Sequence, residues 1–146
     1  MIAWHCKTFS ELTTQELYQI MYYRTQTFVV AQKRSYQEVD DVDPVAHHLW
    51  ATKDGKLVAY FRIFKDHDHI SFGRVLTTPD VRGQGLGGQL LTVGLGVINQ
   101  LYPGVKMIIN SQDDKEKFYA KYGFKAIGKP FVFHHTPHIT MIKEQK

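Results

Sequence analysis

The sequence predicts an α/β (α+β) fold: a mixed central sheet of six to seven strands with helices on its flanks. Three observations predict it. Runs of strand-forming residues broken by turn dipeptides follow one another from residue 47 to 78, the pattern of an antiparallel meander. Two other stretches, near 14–28 and 86–101, repeat apolar residues every three to four positions, as helices do. A strand, a helix and a further strand in succession then require a parallel neighbour, so the sheet is mixed.

The first element is a short strand, Ile2 to Lys7. Thr13 and Glu16 are spaced as a capping box and open a helix carrying Leu17, Ile20, Met21, Arg24 and Phe28 on one face. RSYQEVDDVDP, residues 34–44, is polar and acidic and reads as a loop or short helix over a site. HHLWATK then leads through Asp54-Gly55, a favoured hairpin dipeptide, into LVAYFRIFK, and DHDH leads into ISFGRVLTT. Leu86, Leu90, Val93, Val97 and Leu101 mark a second helix that ends before Pro103-Gly104. VKMIIN is a buried strand, and DDKEKFYAKYGF is an amphipathic helix stopped by Gly123 in the left-handed position after a helix. Strands around KAIG and HITMIK close the chain.

The 146 residues, 43% hydrophobic and 22% charged, suit one domain over residues 1–146 with a sizeable core. No segment approaches the roughly 18 unbroken apolar residues of a membrane span, and the N-terminus lacks the form of a signal peptide. A soluble, cytoplasmic protein with no membrane partner is expected. Cys6 is the single cysteine, which excludes an internal disulfide and a thiolate metal cluster. The 18 basic against 14 acidic residues, a net charge of +4, suit an anionic partner such as a phosphorylated small molecule. No basic run interleaved with aromatic residues accompanies that charge, so no nucleic-acid partner is expected.

Gly83, Gly85, Gly87 and Gly88 crowd the place where the second helix begins. Each glycine inside a helix costs roughly 0.5–1 kcal/mol against alanine, so this density needs a reason. The first turn of a helix has unpaired N–H groups and a partial positive charge, and glycines let a phosphate approach them. Arg82 adds a full charge beside them. GQGLGG satisfies G-x-G-x-x-G, but a dinucleotide fold would place it after the first strand of a βαβ series. A P-loop needs Gly-Lys-Ser/Thr where this chain has Gly-Gly-Gln. Further along, Gly94 and Gly96 are expected to allow close packing of helix on sheet.

The remaining pattern, Arg82-x-x-Gly85-x-Gly87 between an apolar strand with Pro79 and a helix, resembles the acetyl-CoA signature of the GNAT family of N-acetyltransferases. FYAKYGF is similar to the later motif of that family, and the element order is similar over nearly the whole chain. RTQTFVVAQ, IINSQ and PHITM resemble an ElaA-like subgroup of small bacterial proteins.

The resemblance implies an acetyl-CoA-dependent transfer of an acetyl group directly to an amine of an unidentified small molecule or peptide, without a metal. The pyrophosphate would lie on the backbone N–H groups of Arg82, Gly83, Gln84, Gly85, Leu86, Gly87 and Gly88. The pantetheine arm would run along Val75, Leu76 and Thr77 as an added strand, where a backbone N–H could polarise the thioester. Tyr119 would protonate the departing thiolate, while Phe118 and Tyr122 read as core residues. Asn110 suits either the cofactor arm or a cap.

The chain departs from the family pattern in one respect: SFGRVLTT has no glutamate on the strand before the glycines. The base is therefore unassigned, with Glu38, Asp40, Asp41, His48 and His138 as candidates. The acidic loop would also attract a cationic amine. A non-catalytic acyl-CoA-binding module is the alternative that this missing glutamate raises. His134, His135 and His138, with His47 and His48, read as strand and loop residues rather than a zinc site, because strand neighbours face opposite ways. Arg24 and Arg74 suit either ion pairs or the acceptor pocket. A homodimer is compatible with the chain.

Overall fold

Element boundaries fall where side-chain chemistry changes in the computed structural model, which describes residues 1–133 and 135–145. The Glu16 carboxylate accepts from the Thr13 N–H at 2.9 Å while the Thr13 hydroxyl accepts from the Glu16 N–H at 3.1 Å. This capping box starts helix α1, Thr14–Arg24. The helix then widens into a π-helical turn, Thr25–Val30, which carries Phe28 onward. Strand β1 (Ile2–Thr8) precedes it, and β2 (His47–Lys53), β3 (Lys56–Asp66) and β4 (His69–Thr77) form the expected antiparallel meander. Asp54 and Gly55 both take positive φ, 53° and 78°, as a tight hairpin between twisted strands requires.

Helix α2 (Leu86–Leu101) leads to β5 (Met107–Gln112). The third helix is shorter than expected. Residues Asp113–Lys115 wind as a 3-10 turn and only Glu116–Ala120 form α3, before Gly123 at φ 93° ends the segment. The hairpin of β6 (Lys125–Phe133) and β7 (Thr136–Lys143) closes the chain. His134, one of the histidines weighed above, lies outside the described residues.

Among the described residues the seven strands form one sheet in the order β1-β2-β3-β4-β5-β7-β6. Side chains alternate across it, so its two faces make two clusters. Leu49, Phe61, Phe72 and Ile109 on one face pack with Leu90 and Ile98 of α2 and with Tyr119 of α3. Trp50, Tyr60 and Leu76 on the other face pack with Ile20 of α1. The helices thus flank the sheet on both sides. No helix among the described residues is long and apolar enough to cross a membrane.

The buried stripe of α2 is Leu86, Leu90, Leu91, Gly94 and Ile98, while Leu101 is exposed. A Cβ on Gly94 would stand 2.0 Å from Phe61 Cζ, so this glycine lets helix and sheet touch. Gly96 does not share that role. It faces open space, because two residues along a helix rotate by about 200° and carry residue 96 to the side away from the sheet.

Candidate active site

Strands β4 and β5 run parallel, and their register holds at a single pair, Ile70 with Met107. The Ile70 N–H donates to the Lys106 carbonyl at 2.9 Å at that joined end. Toward their carboxyl ends the strands part, leaving a cleft of about 890 Å³ walled by residues 71–77 on one side and 109–112 on the other. Ligand crevices of open α/β sheets form at such carboxyl ends.

The β4 wall is not a regular strand. Arg62 opposes Gly73 and Tyr60 opposes Leu76, so Phe61 alone faces both Arg74 and Val75. This bulge puts Arg74 at φ 54°, a left-handed conformation that costs a non-glycine residue about 1 kcal/mol or more. The surrounding contacts hold it there. Arg74 Nε donates to the Glu38 carboxylate at 3.0 Å, Nη2 donates to the Glu38 carbonyl at 3.2 Å, and the guanidinium lies 5.5 Å from the Tyr36 ring centre. A bulge interrupts the regular ladder, and this one lies on the cleft wall.

At the mouth nearest α2, Arg82 Nη2 donates to the Thr77 carbonyl at 3.1 Å. Gly83 and Gly85 take φ of 81° and 76°, the left-handed backbone that lets the chain turn into the helix. Gly85 caps α2 without a side chain, so the first-turn N–H groups stay open to a ligand. A Cβ on Gly87 would meet only Phe118 Cζ, at 3.9 Å, whereas one on Gly88 would meet the Tyr122 hydroxyl at 2.7 Å. Of the residues expected to contact the cofactor, Val75, Leu76, Thr77, Arg82, Gly87 and Asn110 line the cleft. Gly83, Gln84 and Gly85 form the exposed turn ahead of it, and Leu86 turns its side chain into the core, leaving its backbone for the turn. The Asn110 side-chain oxygen accepts from the Thr140 hydroxyl at 3.0 Å, which leaves its NH₂ to donate.

Tyr119 also lines the cleft. Its ring is fixed among Phe72, Phe118 and Phe124, with centroids 5.2 to 6.1 Å away, and it is 7% exposed. Burial pushes its hydroxyl up to about 12, which keeps it protonated at neutral pH. A phenol so placed can donate a proton and cannot serve as a base.

The acidic loop does something other than the sequence suggested. Arg24, fully buried, donates from Nε to Glu38 at 2.7 Å and from Nη1 to Asp43 at 2.5 Å. Arg62 donates from Nη1 and Nη2 to Asp40 at 2.6 and 3.0 Å and from Nη1 to Asp43 at 3.1 Å. Tyr36 donates its hydroxyl to Glu38. Burial works to raise Asp40 and Asp43, but the hydrogen bonds and charges of Arg62 and Arg24 outweigh it and hold both below the ordinary carboxylate value. Glu38, Asp40 and Asp43 are thus spent on three arginines, and these three acids offer no spare charge to draw in a cationic amine. Asp41 is exposed outside the cleft.

The two histidine candidates part company. His48 is sealed in the core, its Nδ1 paired with the Tyr60 hydroxyl at 2.7 Å and its Nε2 with the Asp43 carbonyl at 3.0 Å. A carbonyl only accepts, so Nε2 carries a proton, and burial, which holds the imidazole below its ordinary 6.5, leaves Nδ1 to accept from the Tyr60 hydroxyl at neutral pH. His138 lines the cleft. Its Nδ1 donates to the Thr136 carbonyl at 2.8 Å, which leaves the lone pair on Nε2, and its ring stacks on Phe131 at 5.9 Å. Among the described residues no cluster of three His, Cys, Asp or Glu side chains could hold a metal.

Residues 8–145 match the model of the acetyltransferase (GNAT) domain. The chain belongs to the GNAT acetyltransferase family. Among similar proteins, the UPF0039 protein C11D3.02c of Schizosaccharomyces pombe is 36% identical over 138 residues, covering 92% of each chain. The protein ElaA of Escherichia coli is 32% identical, covering 99% of this chain and 97% of its own, and its crystal structure superposes with a TM-score of 0.94. An acyl-CoA N-acyltransferase from Pseudomonas aeruginosa is 37% identical with a TM-score of 0.94, covering 98% of this chain and 99% of its own. This protein is accordingly a GNAT-type acyltransferase. Beside the parted strands, Gly87 has no side chain to fill the cleft wall, and Arg82 stands at the cleft mouth.

Two features of the site were missed in the sequence. Thr27 and Phe28 reach the cleft through the π-helical turn, which the uniform helical spacing concealed. The β4 bulge has no residue signature, since arginine seldom takes positive φ.

Proposed function

We propose that residues 1–146 act as one catalytic domain that moves an acetyl group from acetyl-CoA to the amine of a small molecule or peptide. The observation that carries this reading is the parting of β4 from β5 with Tyr119 in the opening. The glycine turn and Arg82 suit a pyrophosphate, and the edge from Val75 to Thr77 suits an extended arm. When bound, the thioester supplies an activated acyl group.

The chain's own residues then handle two protons. The C–N bond forms as the amine attacks the thioester carbonyl, and the C–S bond breaks. His138 Nε2, with its lone pair free, takes the proton from the amine through a water. The Tyr119 hydroxyl gives a proton to the departing sulfur. Donors on the β4 bulge stabilise the charge that develops on the carbonyl oxygen, an effect of about 3 kcal/mol for one well-placed group. Arg74, gripped by Glu38, keeps the bulge in shape.

Calorimetric titration with acetyl-CoA, with NAD and ATP as controls, tests the reading, and the same titration on Gly87→Glu tests the place. Selective binding that Gly87→Glu loses, followed by CoA release with an amine, is the expected result. Equal binding of all three nucleotides would sink it. Binding without CoA release from any amine would leave a non-catalytic acyl-CoA-binding module.

A further inference from the structure

Five cationic side chains line the cleft, Arg34, Arg62, Arg74, Arg82 and Lys115, against one acid, Asp114. Arg82 stands at the glycine turn, and Lys115 and Asp114 follow the end of β5. Arg62 and Arg74 are neutralised by Glu38, Asp40 and Asp43. Arg34 is different. It is half-buried, its Nη2 donates to the Thr136 hydroxyl, and no carboxylate among the described residues lies within ion-pair distance of it.

The surroundings of Arg34 are apolar as well as cationic. Thr136 pairs in register with Phe133, and Phe131 pairs with His138, so one hairpin brings the arginine anchor, two phenylalanines and the histidine together. Phe131 and Phe133 remain 37% and 49% exposed, and both line the cleft with Phe28 and Phe64.

The geometry points to an acceptor that is an amino carboxylate with an apolar side chain, its carboxylate held by Arg34 and its body laid against Phe131 and Phe133. A planar guanidinium takes a carboxylate through two parallel hydrogen bonds, and the fixed Thr136 contact pre-orients that fork. The cationic lining also favours the neutral form of a nearby amine, since like charge disfavours protonation. An amine already partly deprotonated needs less of its base, which fits a cleft wall that lacks a glutamate. Polycationic amines are excluded by the same field. This inference rests on the acetyltransferase reading for its amine and on Arg34 for its carboxylate.

Two measurements test it. The first compares CoA release with L-phenylalanine, L-phenylalaninamide and phenethylamine, which differ only at the carboxyl position. The acid is expected to exceed both others in kcat/KM by about tenfold or more, and Arg34→Gln to erase the difference by raising KM with kcat little changed. Arg34→Lys, which keeps charge without the fork, recovers part of it. The second titrates CoA-saturated protein with N-acetyl-L-phenylalanine and with N-acetylphenethylamine, and the acid is expected to bind more tightly only when Arg34 is present. Equal kcat/KM and equal affinity across each set would overturn the assignment, and turnover of amines regardless of carboxylate would do so while sparing the acetyltransferase reading. Arg34-dependent binding of the acid without CoA release from any amine would do the reverse.

Discussion

Arg24 and Asp43 meet in the core through two hydrogen bonds, at 2.5 and 3.2 Å, with neither side chain more than 1% exposed. The pair ties the end of α1 to the entry of β2, and Arg62 and Glu38 extend it to β3 and to the bulge of β4. Removing one partner strands a buried charge. Asp43→Asn is expected to lower the unfolding free energy by about 3–5 kcal/mol in urea titrations. Lys7→Met, which breaks the half-exposed pair of Lys7 with Glu16 at 2.9 Å, should cost less than about 1 kcal/mol. Similar losses from both would reject the hub role.

Acid should unfold the protein in two stages. His48 titrates below its ordinary value of 6.5, first because burial penalises the imidazolium and then because Arg24 and Arg62 repel it. Below 6.5 the unfolded chain therefore binds a proton that the folded chain refuses, and stability falls as pH drops toward the lowered value. Asp40 and Asp43, held below 3.8, contribute stability that is present above 3.8 and lost as pH falls through their folded values. His48→Gln should flatten the first stage and leave the second. A slope unchanged by that substitution, in denaturant midpoints followed from neutrality into acid, counts against His48.

Two glycines one position-pair apart on α2 should respond in opposite directions. Gly94→Ala drives a methyl to 2.0 Å from the Phe61 ring, and overpacking of this kind costs about 1–3 kcal/mol or more. Gly96→Ala meets nothing and gains the better helix propensity, about 0.5–1 kcal/mol. Thermal unfolding of the two variants decides, and Phe61→Leu beside Gly94→Ala should restore part of the loss. Equal effects would mean that α2 sits differently on the sheet.

Much of this was legible in the residues, and the reasons differ by element. The Thr13–Glu16 box, the Asp54-Gly55 turn and the Gly83 to Gly88 turn are local chemistry, and each stands where its residues placed it. Spacing placed Leu86 and Leu90 on the buried face of α2, but the sheet takes Leu91, Gly94 and Ile98 in place of Val93 and Val97, which are half-buried, and leaves Leu101 exposed. The acidic loop was misread because its partners, Arg24, Arg62 and Arg74, lie on three separate elements that only the fold assembles. A run such as EVDDVD shows its charge but not what neutralises it. The bulge at Arg74 likewise arises from pairing with β3, and no local pattern announces it.

Tyr119 separates catalysis from mere binding. Its ring supports Phe72, Phe118 and Phe124, and phenylalanine preserves those contacts while removing the hydroxyl. Tyr119→Phe should therefore retain the fold and the affinity for acetyl-CoA, and slow CoA release by about 10²-fold or more, as loss of a general acid does. Because burial holds the hydroxyl up to about 12, the wild-type rate should show no loss of the acid through the neutral and mildly alkaline range. A His138→Asn protein, with its Nε2 lone pair gone, should likewise keep its affinity for acetyl-CoA and slow CoA release. Steady-state rates and acetyl-CoA titrations of the three proteins test both roles. If Tyr119→Phe turns over at the wild-type rate, the proton reaches sulfur from elsewhere, and the phenol is there to pack.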